Sequence, residues 1–308
     1  MASSRFASLV SSKPDDCRVA LIGLPDDLGV RMNGGRPGAS EGPAAFRTAL
    51  AKYGVAVPSG WAWPRVYDAG DVIPAGGDSE DALAETHGRV TLAVERALDL
   101  GLFPIGIGGG HDLTFAFARP VALRFPGVVG YYMDAHLDVR ETIGSGMPFR
   151  RLIEECGVQA LRLAGMNPIA NEAEHVAYFV GNHGRAMGGA EFEASVRTEP
   201  LNAFASLDLD VLDASFAPGV SAVNPAGMSS REVERLVGAL GRSSRVRCFD
   251  IMELNPRYDV DGRTARLAAH MFLTFLRGLA ARWDRTEDIA GHVGAGMGTR
   301  VSGAEAGR

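Results

Sequence analysis

VVGYYMDAHLD, residues 128–138, decides the fold. From Val128 to Met133 the chain carries no charge, and it then turns to Asp134, His136 and Asp138 within five residues. An apolar run this short, without polar alternation, suits a strand buried on both faces, the kind found in parallel sheets roofed by helices. The same pattern recurs in RVALIGLP (18–25), LFPIGIGGG (102–110), FASLDLD (204–210) and RCFDIMEL (247–254), each closed by glycine or acidic residues. Between these runs lie helical periods: Leu83, Val90, Val94 and Leu98 within 80–99, and Leu267, Met271, Phe275 and Leu279 as one i+4 row within 264–282. Ser229-x-x-Glu232 reads as a capping box opening a further helix. Strands alternating with helices predict an α/β protein with a mostly parallel central sheet covered on both faces. Ligands in such folds bind beyond the carboxyl ends of the strands, where each acidic or histidine cluster falls here.

No linker or shift in composition divides residues 1–308, so one domain is expected, with loose tails at about 1–16 and 291–308. The 308 residues, 46% hydrophobic and 22% charged, can bury a large core. A net charge of -6 excludes a generic nucleic-acid binder, which needs a basic surface. No apolar run is long enough to span a bilayer, and the N-terminus lacks a continuous apolar leader segment, so no membrane partner is expected. Cys17, Cys156 and Cys248 are few and far apart, which indicates a reducing, cytoplasmic location. Lys13 and Lys52 are the only lysines, so nearly every cation is an arginine, the side chain suited to gripping carboxylates with two parallel hydrogen bonds.

In extended chain the period of two places Asp134, His136 and Asp138 on one side, so three potential ligands converge. A solvated strand end is the plain alternative. Asp208-Leu209-Asp210 repeats the arrangement, with both carboxylates aimed one way. Carboxylates crowded beside a buried strand resist ionisation unless a cation joins them. His111, after the glycines 108–110, adds a sixth candidate ligand. Four carboxylates and two imidazoles exceed what one zinc ion needs, so the count suggests two metals, and oxygen donors with imidazole favour Mn²⁺. A water made acidic by two such ions is a hydrolase's nucleophile. The glycine run is not a dinucleotide loop, because GxGxxG would need glycine at His111, and the GK[ST] of a phosphate-binding loop is absent.

These motifs resemble the ureohydrolase superfamily of arginase, agmatinase and formimidoylglutamase, from about Gly23 to Ala280. They are NGGRPGASEGP (33–43), DAGDV (68–72), GGGHD (108–112), DAHLD (134–138), SLDLDVLDASFAPGVSAVNP (206–225) and FDIMELNP (249–256). The resemblance implies an arginase/deacetylase-like three-layer sandwich holding two Mn²⁺ per subunit, and a homo-oligomer. One ion would take His111, Asp134, Asp138 and Asp208, the other His136, Asp134, Asp208 and Asp210. Glu253 would accept hydrogen bonds from the amidine or guanidine nitrogens of a small-molecule substrate, and Asp138 would orient the attacking hydroxide.

Ser145 stands where arginase and agmatinase carry a histidine, and a hydroxyl cannot shuttle protons as imidazole does. The stretch SGMPFR (145–150) instead looks like formimidoylglutamase, with Arg150 expected to read a substrate carboxylate and Arg140 as a second anchor. The reaction implied is hydrolysis of N-formimidoyl-L-glutamate to L-glutamate and formamide, a step of histidine degradation. A relative acting on a guanidino acid such as guanidinobutyrate, or a metal-binding homologue without turnover, are the alternatives. His87, His175, His183 and His270 have no ligand partners at useful spacing and read as surface or satisfied core histidines.

Overall fold

The apolar runs form the centre of one nine-stranded sheet in the computed structural model of the chain, which describes residues 5–54 and 63–295. The strands are β1 (Val10–Ser11), β2 (Val19–Leu24), β3 (Val66–Asp71), β4 (Phe103–Gly108), β5 (Val129–Met133), β6 (Ala160–Ala164), β7 (Arg185–Met187), β8 (Ala203–Asp208) and β9 (Val246–Met252). Every strand pairing is parallel, in the order β1-β3-β2-β4-β9-β8-β5-β6-β7. Every residue of β2, β4, β5 and β8 is buried, as an unbroken apolar strand requires.

Successive side chains go to opposite faces. Val129, Tyr131 and Met133 join a core with α2 (Gly42–Leu50), α7 (Gly189–Thr198), α8 (Ser230–Arg242) and α9 (Arg263–Ala295), built around Phe46, Phe192, Leu236 and Phe272. Tyr132 packs on the other face with α3 (Glu80–Asp99), α4 (Leu113–Arg124), α5 (Pro148–Cys156) and α6 (Ala173–Gly181), through Val94, Phe117, Phe149 and Phe179. The result is the expected three-layer sandwich, all-parallel rather than mostly parallel. A short α1 (Leu28–Met32) follows β2.

The helical expectations hold closely. The period read over 80–99 is α3, opened by Ser79 accepting from the Ala82 N–H. Ser229 and Glu232 form both hydrogen bonds of the capping box. Ser229→Ala should therefore lower unfolding free energy by about 1 kcal/mol, read as a shifted denaturant midpoint at constant slope. An unchanged midpoint would show that α8 is held by packing alone.

Two expectations need correction. Residues 5–16 are not a loose tail: Phe6 is fully buried against Trp63 and Phe272, with ring centroids 5.6 and 6.2 Å away, and β1 pairs with β3. At the other end α9 continues to Ala295, and residues 296–308 lie outside those described. The period of two also fails to explain DAHLD, because β5 stops at Met133 and Asp138 has a φ of 48°.

Candidate active site

The switch in chain direction places the site. After β4 the chain runs outward through β5, β6 and β7, then returns to insert β8 and β9, so β4, β9, β8 and β5 become neighbours at the middle of the sheet. Their four carboxyl ends carry His111, Glu253, Asp208 with Asp210, and Asp134 to Asp138. Residues as much as 142 positions apart thus meet at one topological switch point.

Two similar turns aim the aspartates. Asp134 Oδ1 accepts from the His136 N–H at 2.6 Å, and Asp208 Oδ1 accepts from the Asp210 N–H at 2.7 Å. An Asp that bonds the backbone two residues on forms its own turn. In each case the first oxygen is anchored and the second is turned inward: Asp134 Oδ2 and Asp208 Oδ2 both lie 3.1 Å from His111 Nδ1. Asp138 Oδ2 is 2.8 Å from the same nitrogen. His136 Nδ1 sits 3.0 Å from Asp210 Oδ2 and 3.4 Å from Asp134 Oδ1.

The glycine run lets the β4 end thread through. A Cβ on Gly109 would come within 2.1 Å of the Asp26 carbonyl oxygen and 2.5 Å of that of Leu24, so no other residue fits. Gly109 O in turn accepts from the Glu253 N–H at 2.8 Å, and Glu253 Oε1 accepts from the His111 N–H at 2.7 Å. Glu253 has a φ of 67°, so the two residues read as catalytic, Asp138 and Glu253, both adopt left-handed backbone that costs a non-glycine residue free energy. Ser206 Oγ lies 3.0 Å from His111 Nε2, which leaves Nδ1 as the nitrogen turned to the carboxylates.

This chemistry fits divalent cations. His111 Nδ1 and Asp134 Oδ2 are buried with no hydrogen-bond partner, and a single imidazole cannot satisfy three carboxylates around it. Two sets of ligand atoms converge: His111, Asp134, Asp138 and Asp208, and Asp134, His136 and Asp210. The first contains all four residues assigned to one ion. The second contains three of the four assigned to the other, with Asp208 outside it.

Without a cation the cluster titrates abnormally. Burial pushes Asp134 and Asp250 up to about 6 and Glu253 up to about 8, and burial also raises Asp208. Burial opposes protonation of His111, but Asp134, Asp138 and Asp208 outweigh it, and Asp210 chiefly raises His136. All of these folded values lie above the unfolded ones. The native state therefore binds more protons than the unfolded chain, and its stability falls as pH rises through each window. For Asp134 and Asp250 the window runs from 3.8 to about 6, and for Glu253 from 4.5 to about 8. For the histidines the loss starts above 6.5. Metal-free protein should accordingly melt at lower temperature at about pH 8 than at about pH 5, and added Mn²⁺ should raise Tm more at the higher pH, where fewer protons compete. A metal-free Tm that is flat or rising over that range would contradict this electrostatic picture.

A cavity of about 140 Å³ opens over the cluster, lined by His111, His136, Asp138, Asp208, Asp210 and Glu253 together with Val30, Asn33, Gly35, Arg140, Ser145, Gly146, Ser221 and Ala222. A larger groove of about 570 Å³ between α8 and α9 contains no imidazole and no buried carboxylate, so the smaller cavity carries the chemistry. Arg140 and Ser145 both line this cavity. Arg150 does not: its Nε donates to Glu154 Oε1 at 2.9 Å, a terminal nitrogen lies 3.6 Å from Glu141, and its guanidinium stacks 4.4 Å from the Tyr178 ring centre. Pro148 starts α5, which puts Arg150 in the first turn with Glu154 one turn further on. The expectation for Arg150 is therefore corrected.

His87 is a satisfied core histidine, 2.8 Å from Asp112. Sequence reasoning missed Asn33, Ser206, Ser221 and Asp250. Ser206 and Asp250 were legible as polar residues inside otherwise apolar strands, where they pair in register. Asn33 and Ser221 gave no signal beyond their motifs.

The fold is a three-layer α/β sandwich, and the cluster at the middle of its sheet is a candidate metal centre. The chain belongs to the Arginase family, whose profile matches residues 17–277. It is 36% identical to the formimidoylglutamase of Aromatoleum aromaticum over 86% of this chain and 84% of that one, and 33% identical to that of Halobacterium salinarum over 87% and 90%. Among solved structures, the Trypanosoma cruzi formiminoglutamase with Mn²⁺₂ superposes with a TM-score of 0.82 at 33% identity, covering 90% of this chain and 99% of the other. The proclavaminate amidino hydrolase of Streptomyces clavuligerus gives 0.76 at 28% identity, covering 89% and 95%.

Proposed function

We propose that the protein hydrolyses N-formimidoyl-L-glutamate to L-glutamate and formamide. One observation carries this reading beyond the family: Arg140, which has no ion pair among the described residues, lines the same cavity as Glu253 and the ligand cluster. A substrate that suits both ends carries an amidine and a carboxylate.

His111, Asp134, Asp138 and Asp208 would hold one ion, and His136, Asp134 and Asp210 with Asp208 the other. Mn²⁺ is the preferred identity from the oxygen and imidazole donors, and the T. cruzi relative was solved with it. The ions would supply a water acidic enough to serve as nucleophile at neutral pH. Glu253 Oε2, buried and without a partner, faces the amidinium nitrogens. Asp138, held by its turned backbone, orients the attacking water toward the amidine carbon. Arg140 pairs with a substrate carboxylate, and Ser145 lines the wall beside it. A cytoplasmic location suits three free cysteines, and no helix among the described residues is long and apolar enough to cross a membrane. The homo-oligomeric reading rests on the resemblance alone.

Agmatine, which has no carboxylate, tests the substrate class. N-formimidoyl-L-glutamate should be the better substrate by at least about a hundredfold in kcat/KM, because agmatine leaves Arg140 unpaired and brings a cation beside it. Agmatine turnover at or above that level would overturn the reading.

A further inference from the structure

Asp250 is a carboxylate inside the sheet. It belongs to neither set of converging ligand atoms, and both its oxygens are buried without a hydrogen bond of good geometry. A charged group kept so costs the fold free energy, so its place calls for a reason. Its register partner in β8 is Ser206, and in β4 it is Gly106, which offers no side chain. Alternation puts Asp250 and Ser206 on the face that α4 covers: Cys248, Met252 and Phe204, each two residues away along the same strands, pack in that layer with Phe117. Thr114 comes to the same place from the first turn of α4, with Oγ1 3.5 Å from Ser206 Oγ. Burial raises the Asp250 carboxyl, and the Ser206 hydroxyl, the His111 ring and the Thr114 hydroxyl pull it down. Ser206 also touches the ligand cluster, its Oγ 3.0 Å from His111 Nε2, while His111 Nδ1 faces Asp134, Asp138 and Asp208. An imidazole that ligates through Nδ1 carries its proton on Nε2, so Ser206 accepts there and keeps one hydroxyl proton to give. An ionised Asp250 can only accept.

We propose that Asp250 is a positioning residue for the metal centre: it draws the Ser206 hydroxyl proton toward itself, so that Ser206 Oγ accepts from His111 Nε2–H and holds the ring with Nδ1 toward the ion. This rests on the ion assignment proposed above. An acceptor at the second nitrogen orients a histidine ligand and makes it a stronger donor, and a carboxylate behind that acceptor strengthens the effect. The competing role is structural, with Asp250 steadying the amino end of α4, where negative charge is favourable and Thr114 is at hand.

Asp250→Asn keeps the shape and removes the charge. Calorimetric titration with Mn²⁺ should show the ion that takes His111 bound about ten- to a hundredfold more weakly than in the wild type. At a Mn²⁺ concentration that just fills the wild-type chain, electron paramagnetic resonance should then show isolated ions in place of an exchange-coupled pair. Ser206→Ala should weaken binding to a similar degree, and the two substitutions together should cost little more than either, because both act on one ring. Thr114→Val removes the other hydroxyl and should leave Mn²⁺ affinity within about twofold of wild type, since Thr114 does not touch the ligand. Metal-free Asp250→Asn should melt at or above the wild-type temperature, because a buried charge without a partner is gone. Unchanged Mn²⁺ affinity in Asp250→Asn, or additive effects of Asp250→Asn and Ser206→Ala, would overturn the inference. Early melting of metal-free Asp250→Asn would overturn it too, and place the carboxylate's role at α4. A wild-type chain that binds fewer than two Mn²⁺ overturns the ion assignment and this inference together. One that binds two but releases no formamide sinks the proposed substrate alone, and the titrations of the variants still decide for Asp250.

Discussion

Asp208→Asn is expected to lower kcat/KM for N-formimidoyl-L-glutamate by about a thousandfold or more, the equivalent of several kcal/mol of lost transition-state stabilisation. Asp208 sits in both ligand sets assigned from the sequence, with its Oδ2 3.1 Å from His111 Nδ1. Asparagine keeps an oxygen for the Asp210 N–H, so the turn at the end of β8 should survive. It also removes one of four crowded carboxylates from the metal-free protein, where burial and the charges of Asp210 and Asp134 hold Asp208 above its usual range. The metal-free variant should therefore melt at or above the wild-type temperature while binding fewer than two Mn²⁺ per chain. Alanine tests the other half of the argument, since it leaves the Asp210 N–H without its acceptor at a cost of about 1–3 kcal/mol. Full metal content and activity in Asp208→Asn would contradict the ligand assignment. Early melting of the metal-free variant would instead place its role in the fold.

The second large effect separates two arginines that sequence reading treated alike. Arg140→Ala should lower kcat/KM by about ten- to a hundredfold, mostly through KM, as expected for a charged hydrogen bond at a partly solvated site. Arg140→Lys should recover only part of this, because the ammonium cannot grip a carboxylate with two parallel bonds. Arg150→Ala should leave KM within about twofold of wild type, since it breaks an exposed pair one helical turn apart that is worth about 0.5 kcal/mol at most. A KM that responds to Arg150 and not to Arg140 would reverse the reading of the cavity.

The difference between these arginines shows where sequence stops being informative. The central strands were legible because burial on both faces leaves an unbroken apolar run, as in Val19–Leu24 and Phe103–Gly108. β3 was hidden in the DAGDV motif because its residues are polar: Asp68 accepts two bonds from Arg47 at 2.8 Å, and Asp71 a third at 2.6 Å. β6 and β7 are five and three residues long, too short for a period to show. The candidate ligand residues were legible by type and spacing, but the reason given for their convergence was not the physical one. Side chains of Asp134 and Asp208 fold the chain into turns, where an extended strand had been expected. Arg150 was misplaced because a motif fixes the order of residues along the chain but not the helix phase, which Pro148 and Glu154 decide. Asn33 was overlooked because Ser145, the residue it faces, lies 112 residues away.

Which carbon–nitrogen bond breaks tests the central claim most directly. Proton NMR of metal-loaded enzyme acting on N-formimidoyl-L-glutamate resolves the two possibilities. Attack of water at the amidine carbon with departure of the substituted amine yields formamide and L-glutamate in equal amounts, which is the predicted result. N-formyl-L-glutamate with ammonium, or intact substrate after prolonged incubation with Mn²⁺, would contradict it.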